Sequence, residues 1–87
     1  MYYAYAIANE INDIYIGHTD NLDDRLKRHN GVLPSKKTSY TNKRKKGLWK
    51  YILTEEFKTR SEAMKREKQL KSYRGREYIR NKLKETL

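Results

Sequence analysis

The 87-residue sequence contains no cysteine and a single proline, and nowhere holds an apolar run approaching the 18 residues that a membrane helix needs. Without cysteine, disulfides and thiolate metal sites are excluded, and a reducing compartment is permitted. The N-terminus begins directly with strand-like tyrosines and alanines rather than a secretory signal, so a cytoplasmic location is expected. No internal repeat and no linker divides the chain, which reads as one domain over residues 1–87. Such a length encloses one modest core, so binding and chemistry must share that unit.

Acidic side chains are scarce where basic ones are dense. Lysine and arginine number 21 against 11 aspartates and glutamates, a formal charge of +10. Residues 1–35 carry three basic and five acidic groups, residues 36–50 seven basic and none acidic, and residues 58–87 eleven against four. The positive field therefore comes from two blocks. Each phosphate that such a block neutralises releases counterions, so a polyanion is the expected partner, DNA first and RNA second. With 36% hydrophobic residues the core is thin, and the eight tyrosines can fill it while keeping a polar tip.

Tyr2 to Ala8 alternates large and small residues, with Tyr3, Tyr5 and Ile7 on one face, and reads as a strand. The polar Asn9 to Asp13 supplies a turn into a second strand, Ile14 to His18, giving an antiparallel hairpin that Gly17 lets the backbone leave. Asp20 is the expected N-cap of a helix carrying the apolar pair Leu22 and Leu26 and ending near Asn30-Gly31. Residues 31–47 have no periodicity and read as a long functional or disordered loop. Leu48 to Phe57 is the expected third strand, with Trp49 in the core. The capping box Thr59-Arg60-Ser61-Glu62 starts a helix to about Ser72, Gly75 breaks it, and a last helix places Ile79 and Leu83 against the core, with Leu87 next in the spacing. The expected architecture is α+β, a three-stranded mainly antiparallel sheet flanked by three helices.

Within this frame, Tyr15-Ile16-Gly17 is followed by Arg25 and then His29, which share a helical face at i and i+4. Phenol, guanidinium and imidazole so placed are groups that handle phosphate. Glu67 adds a carboxylate on a later helix.

The pattern resembles the GIY-YIG nuclease superfamily, specifically its small stand-alone bacterial members of the UPF0213 and URI-like type. The resemblance rests on Tyr3-Ala4-Tyr5, on Tyr15-Ile16-Gly17, on the run from Thr19 to His29, and on Ser61-Glu62-Ala63-Met64-Lys65-Arg66-Glu67 with Lys71. It departs in the first signature, where tyrosine replaces glycine and alanine replaces isoleucine. It implies a metal-dependent endonuclease that hydrolyses DNA phosphodiesters with one magnesium or manganese ion, leaving 5′-phosphate and 3′-hydroxyl ends, in DNA repair, recombination or processing. Glu67 is then the metal ligand, Arg25 the clamp on the scissile phosphate, Tyr5 the general base or water-orienting group with Tyr15 beside it, and His29 a proton relay. His18 is expected to play no part. Lys36, Lys37, Lys43, Arg44, Lys45 and Lys46 in the loop, with Lys71, Arg74 and Arg76 near the helix break, are the expected phosphate contacts. Such contacts read no sequence, so low sequence specificity follows, and any selection is for DNA structure or single strands. Two competitors remain: a weak or inactive DNA-binding module that keeps the nuclease fold, and a small RNA-associated protein.

Overall fold

A computed structural model describes residues 1–30 and 48–85. Three strands, β1 (Tyr2–Ala8), β2 (Ile14–Thr19) and β3 (Lys50–Phe57), form one antiparallel sheet in the order β2-β1-β3. The helices are α1 (Leu22–His29), α2 (Arg60–Leu70) and α3 (Tyr73–Glu85). The expected loop, with Lys36, Lys37, Tyr40, Lys43, Arg44, Lys45 and Lys46, lies outside the described residues, as does Leu87.

The β1–β2 hairpin is closed by Asn9. Its side-chain oxygen accepts from the backbone N–H of Ile11 (3.1 Å) and of Asp13 (2.9 Å), while Asn12 takes the left-handed conformation, φ 63°, that asparagine tolerates. This turn sets the register Tyr5↔Gly17 and Ile7↔Tyr15. Alternation then sorts the sheet into two faces. On one, Tyr5, Ile7 and Trp49 are buried with Tyr15, Tyr51 and the α1 leucines Leu22 and Leu26. On the other, Ala4, Ala6 and Ile16 meet Leu70 of α2 and Ile79 of α3. The small alanines of the central strand let two helices lie close, whereas among the described residues the tyrosine face meets α1 alone.

Two local expectations change, and β3 adds an irregularity. The α1 N-cap is Asn21 rather than Asp20: the Asn21 side chain accepts from the Asp24 N–H, and Asp20 lies one residue before it. Gly75 does not break a helix, since it lies inside α3; the chain turns at Lys71 and Ser72, and the Ser72 hydroxyl bonds the Gln69 carbonyl at 2.6 Å. A Cβ at position 75 would sit 2.3 Å from the Gln69 carbonyl oxygen and 2.5 Å from the Leu70 Cα, so glycine is there because two backbones touch. Finally, β3 carries a register shift opposite Ala6 and Ile7, which lets Ile52 and Leu53 pack on one face while Tyr51 turns to the other.

Candidate active site

Tyr5 lies in the centre of the sheet beneath α1 and is wholly enclosed, at 0% exposure. Arg25 donates from Nε to its hydroxyl oxygen at 3.1 Å, and that hydroxyl lies 2.8 Å from Nε2 of His29. The i, i+4 spacing places the two α1 side chains on one phenol. A phenol has one proton, so Tyr5 accepts from Arg25 and donates to His29, which requires a neutral imidazole. Burial first, and the Arg25 charge second, lower the His29 pKa to about 4, so the ring is neutral at pH 7. Burial also raises the Tyr5 pKa, and the opposing pull of Arg25 is smaller. Burial disfavours the charge on Arg25 as well, yet its hydrogen bonds to Tyr5 and Tyr15 more than offset this, so the guanidinium is held charged between two phenols.

Aromatic packing fixes the cluster. The Tyr15 and His29 rings are 4.9 Å apart, and Tyr51 meets Tyr5 edge-on at 5.5 Å. Tyr51, which sequence reasoning did not single out, also donates to the Leu22 carbonyl at 2.6 Å and so ties the first turn of α1 to β3. Gly17 makes the space for the Tyr5 hydroxyl: a Cβ there would lie 2.7 Å from that oxygen and 2.9 Å from Cζ. Gly17→Ala is therefore expected to displace the phenol and cost about 2 kcal/mol of stability, with adding Tyr5→Phe restoring only part of it because the ring carbon still clashes. Chemical denaturation of the single and double variants checks this.

Neutral His29 also sets a pH dependence. The unfolded chain takes up a proton near the ordinary histidine value of 6.5, the folded one only near 4. Its contribution is complete above pH 6.5 and is lost as pH falls toward 4, on the order of 3 kcal/mol in all. Urea melts at pH 7.5 and 4.5 should show this loss, and His29→Gln should remove that part of it.

Glu67 belongs to the other face of the sheet. Ile14, Ile16 and His18 alternate toward α2, and His18 Nδ1 lies 2.7 Å from Glu67 Oε1. Lys71 Nζ donates to Glu67 Oε2 at 3.1 Å. Burial works against the Glu67 carboxylate, but the hydrogen bonds from His18 and Lys71 outweigh it and hold its pKa below the usual glutamate value. The two faces communicate around the end of β2. His18 and Arg25 line one concavity of about 240 Å³, together with Arg28 and Arg60. Tyr5, Tyr15, Arg25 and His29 are thus in direct contact, while Glu67 reaches their neighbourhood through His18, a residue that sequence reasoning set aside. The one signal for it was strand alternation, which puts His18 on the helix-bearing face.

Of the expected phosphate contacts, Lys71 and Arg76 line a cavity of about 530 Å³ along β2, with Tyr15 and the unanticipated Arg80. Arg74 instead faces a separate hollow beside Arg66 and Tyr78. Among the described residues no three acidic or histidine side chains gather as a metal cage. No described helix is long and apolar enough to cross a membrane.

Comparison with known proteins gives the family and the fold. Residues 1–83 match the family model of the GIY-YIG catalytic domain. A UPF0213 protein of Staphylococcus haemolyticus (strain JCSC1435) is 33% identical over 72 residues, covering 83% of this chain and 82% of the relative. The solution NMR structure of a UPF0213 protein from Bacillus halodurans superimposes with a TM-score of 0.51 at 27% identity, over 93% of this chain and 84% of that one.

Proposed function

Because the chain belongs to the GIY-YIG family, whose catalytic domain spans residues 1–83, we propose that it is a metal-dependent endonuclease that hydrolyses DNA phosphodiester bonds with little sequence specificity. The observation that carries the reading is Arg25, a guanidinium fixed by the buried Tyr5 hydroxyl at 3.1 Å and opening onto the concavity it shares with His18, the partner of Glu67. A charge so fixed needs no reorganisation when negative charge grows on the nonbridging oxygens of the phosphate.

Glu67 fits the single divalent ion that the family implies. Its carboxylate is ionised, partly open to solvent and made of hard oxygens, and magnesium binds through one carboxylate plus water and substrate phosphate rather than a protein cage. When bound, the ion would act as a Lewis acid for the departing 3′ oxygen. His18 orients the carboxylate through Oε1, and Lys71, half exposed, gives way at Oε2. Tyr5 is enclosed and its phenol stays protonated, so it positions Arg25 rather than activating water. Tyr15, also bonded to Arg25 but lining the β2 cavity, is the phenol that a water can reach. His29 accepts the Tyr5 proton and keeps that oxygen turned toward Arg25.

The test is cleavage of single-stranded, duplex and branched DNA, and of RNA, by the purified protein with magnesium or manganese. Cutting of at least one DNA supports the reading. Cutting of RNA alone overturns the substrate, and no cutting at high protein concentration overturns the enzyme.

A further inference from the structure

Among the described residues β2 pairs with β1 alone and forms one edge of the sheet, so its outer side offers both faces at once. That is why one cavity of about 530 Å³ contains Tyr15 from the tyrosine face together with Ile14 and Ile16 from the other. The opposite wall is α3, where Arg76 and Arg80 are spaced i, i+4 and the buried Ile79 lies between them in sequence. Lys71, just past the end of α2, completes the rim. The cavity thus combines three cations, set against the one carboxylate of Asp13, with an isoleucine wall. A simple electrostatic patch has no use for the apolar wall, and a hydrophobic groove has no use for the cations.

We propose that this cavity is a nucleotide subsite: Lys71, Arg76 and Arg80 hold the phosphate of one nucleotide of the bound strand, and its sugar and base lie against Ile14 and the exposed edge of Ile16, with the buried Ile79 behind them. The volume falls within the range of small-ligand sites and suits one nucleotide, not a stacked base pair. The strand therefore presents a nucleotide drawn out of its stack. Two residues tie this seat to the reaction, and in this respect the inference rests on the nuclease reading. Tyr15 lines the cavity and bonds Arg25, and Lys71 lines it and bonds Glu67. The seated nucleotide is thus next to the bond that Arg25 and Glu67 act on. The phosphate also gives Lys71 an alternative partner, which releases Glu67 Oε2.

The subsite separates two arginines of α3 in the opposite sense to the sequence reading, which named Arg74 and not Arg80. Arg80 belongs to it and Arg74, in the hollow beside Tyr78, does not. Thymidine 5′-monophosphate, titrated into the ¹⁵N-labelled protein, should shift the amides of residues 14–16, 76 and 80, and should bind more tightly than inorganic phosphate or thymidine alone. Arg80→Ala should weaken it about tenfold, since a charged hydrogen bond is lost, and Arg74→Ala should leave it unchanged. A thymidine pentanucleotide should bind more tightly than the mononucleotide and displace it. The inference is overturned if phosphate alone binds as well as the nucleotide, if Arg74→Ala weakens binding as much as Arg80→Ala, or if the pentanucleotide does not compete. The amide spectrum of each variant confirms folding. Because these are binding measurements, the subsite can fail while DNA cleavage stands, and can stand while cleavage fails.

Discussion

Arg25→Ala and Glu67→Ala are each expected to lower DNA cleavage by about a thousandfold or more while leaving salt-sensitive DNA binding within a few-fold of the parent protein. The size follows from how each group is held. Arg25 is a permanent charge clamped by two phenols, so it stabilises the transition state without first being oriented, and alanine leaves water where that charge stood. Arg25→Lys should rescue little, because an ammonium cannot donate to Tyr5 and also present a planar second edge to phosphate. Glu67 is the sole carboxylate at its place, with no third acidic or histidine group beside it among the described residues, so no neighbour replaces it as a metal ligand. Binding survives because other cations, including Arg28, Arg60, Arg76 and Arg80, supply the sequence-independent attraction. Single-turnover cleavage alongside fluorescence anisotropy separates the two effects. If Glu67→Ala cuts as fast as the parent, the metal assignment is wrong.

Gly75→Ala should be the most damaging single methyl in the described part of the chain, lowering stability by about 3 kcal/mol. In a domain of this size that corresponds to a fall in melting temperature of roughly 15 °C. At Gly17 the clash is with a side-chain ring, which can tilt, whereas at Gly75 it is with the Gln69 carbonyl and the Leu70 backbone, which cannot rotate away. The only relief is to move α3 from the end of α2. That motion would separate Leu70 from Ile79, both fully buried and both central to the helix-side core. Calorimetry of Gly75→Ala beside Gly17→Ala should rank them in that order.

The sequence carried much of the fold because its signals are local. Alternation in Tyr2–Ala8 places Tyr5 and Ile7 on one face and the alanines on the other, as found. The spacing of Arg25 and His29 puts both on one side of α1, and both bond the Tyr5 hydroxyl. Thr59 and Glu62 cap α2 as their spacing predicts, the Thr59 oxygen accepting from the Glu62 N–H at 3.3 Å. At the start of α1 the sequence was weaker. Asp20 was the expected cap and Asn21 takes that place, because which residue faces the first free N–H depends on where β2 releases the chain.

By itself, then, the sequence determined the strands, the helices, the polarity of each face and the shared helical side of Arg25 and His29, since each depends on neighbours within one or two turns or one strand. Tertiary structure alone decided which phenol is sealed and which is open, because burial depends on what the sheet order places beneath α1. It decided the partner of Glu67, because His18 lies 49 residues away and meets it only where α2 crosses β2. It turned Tyr51 into the cluster through a bulge that strict alternation does not foresee. It also reversed the meaning of Gly75, a residue chosen for the closeness of two backbones rather than for ending a helix.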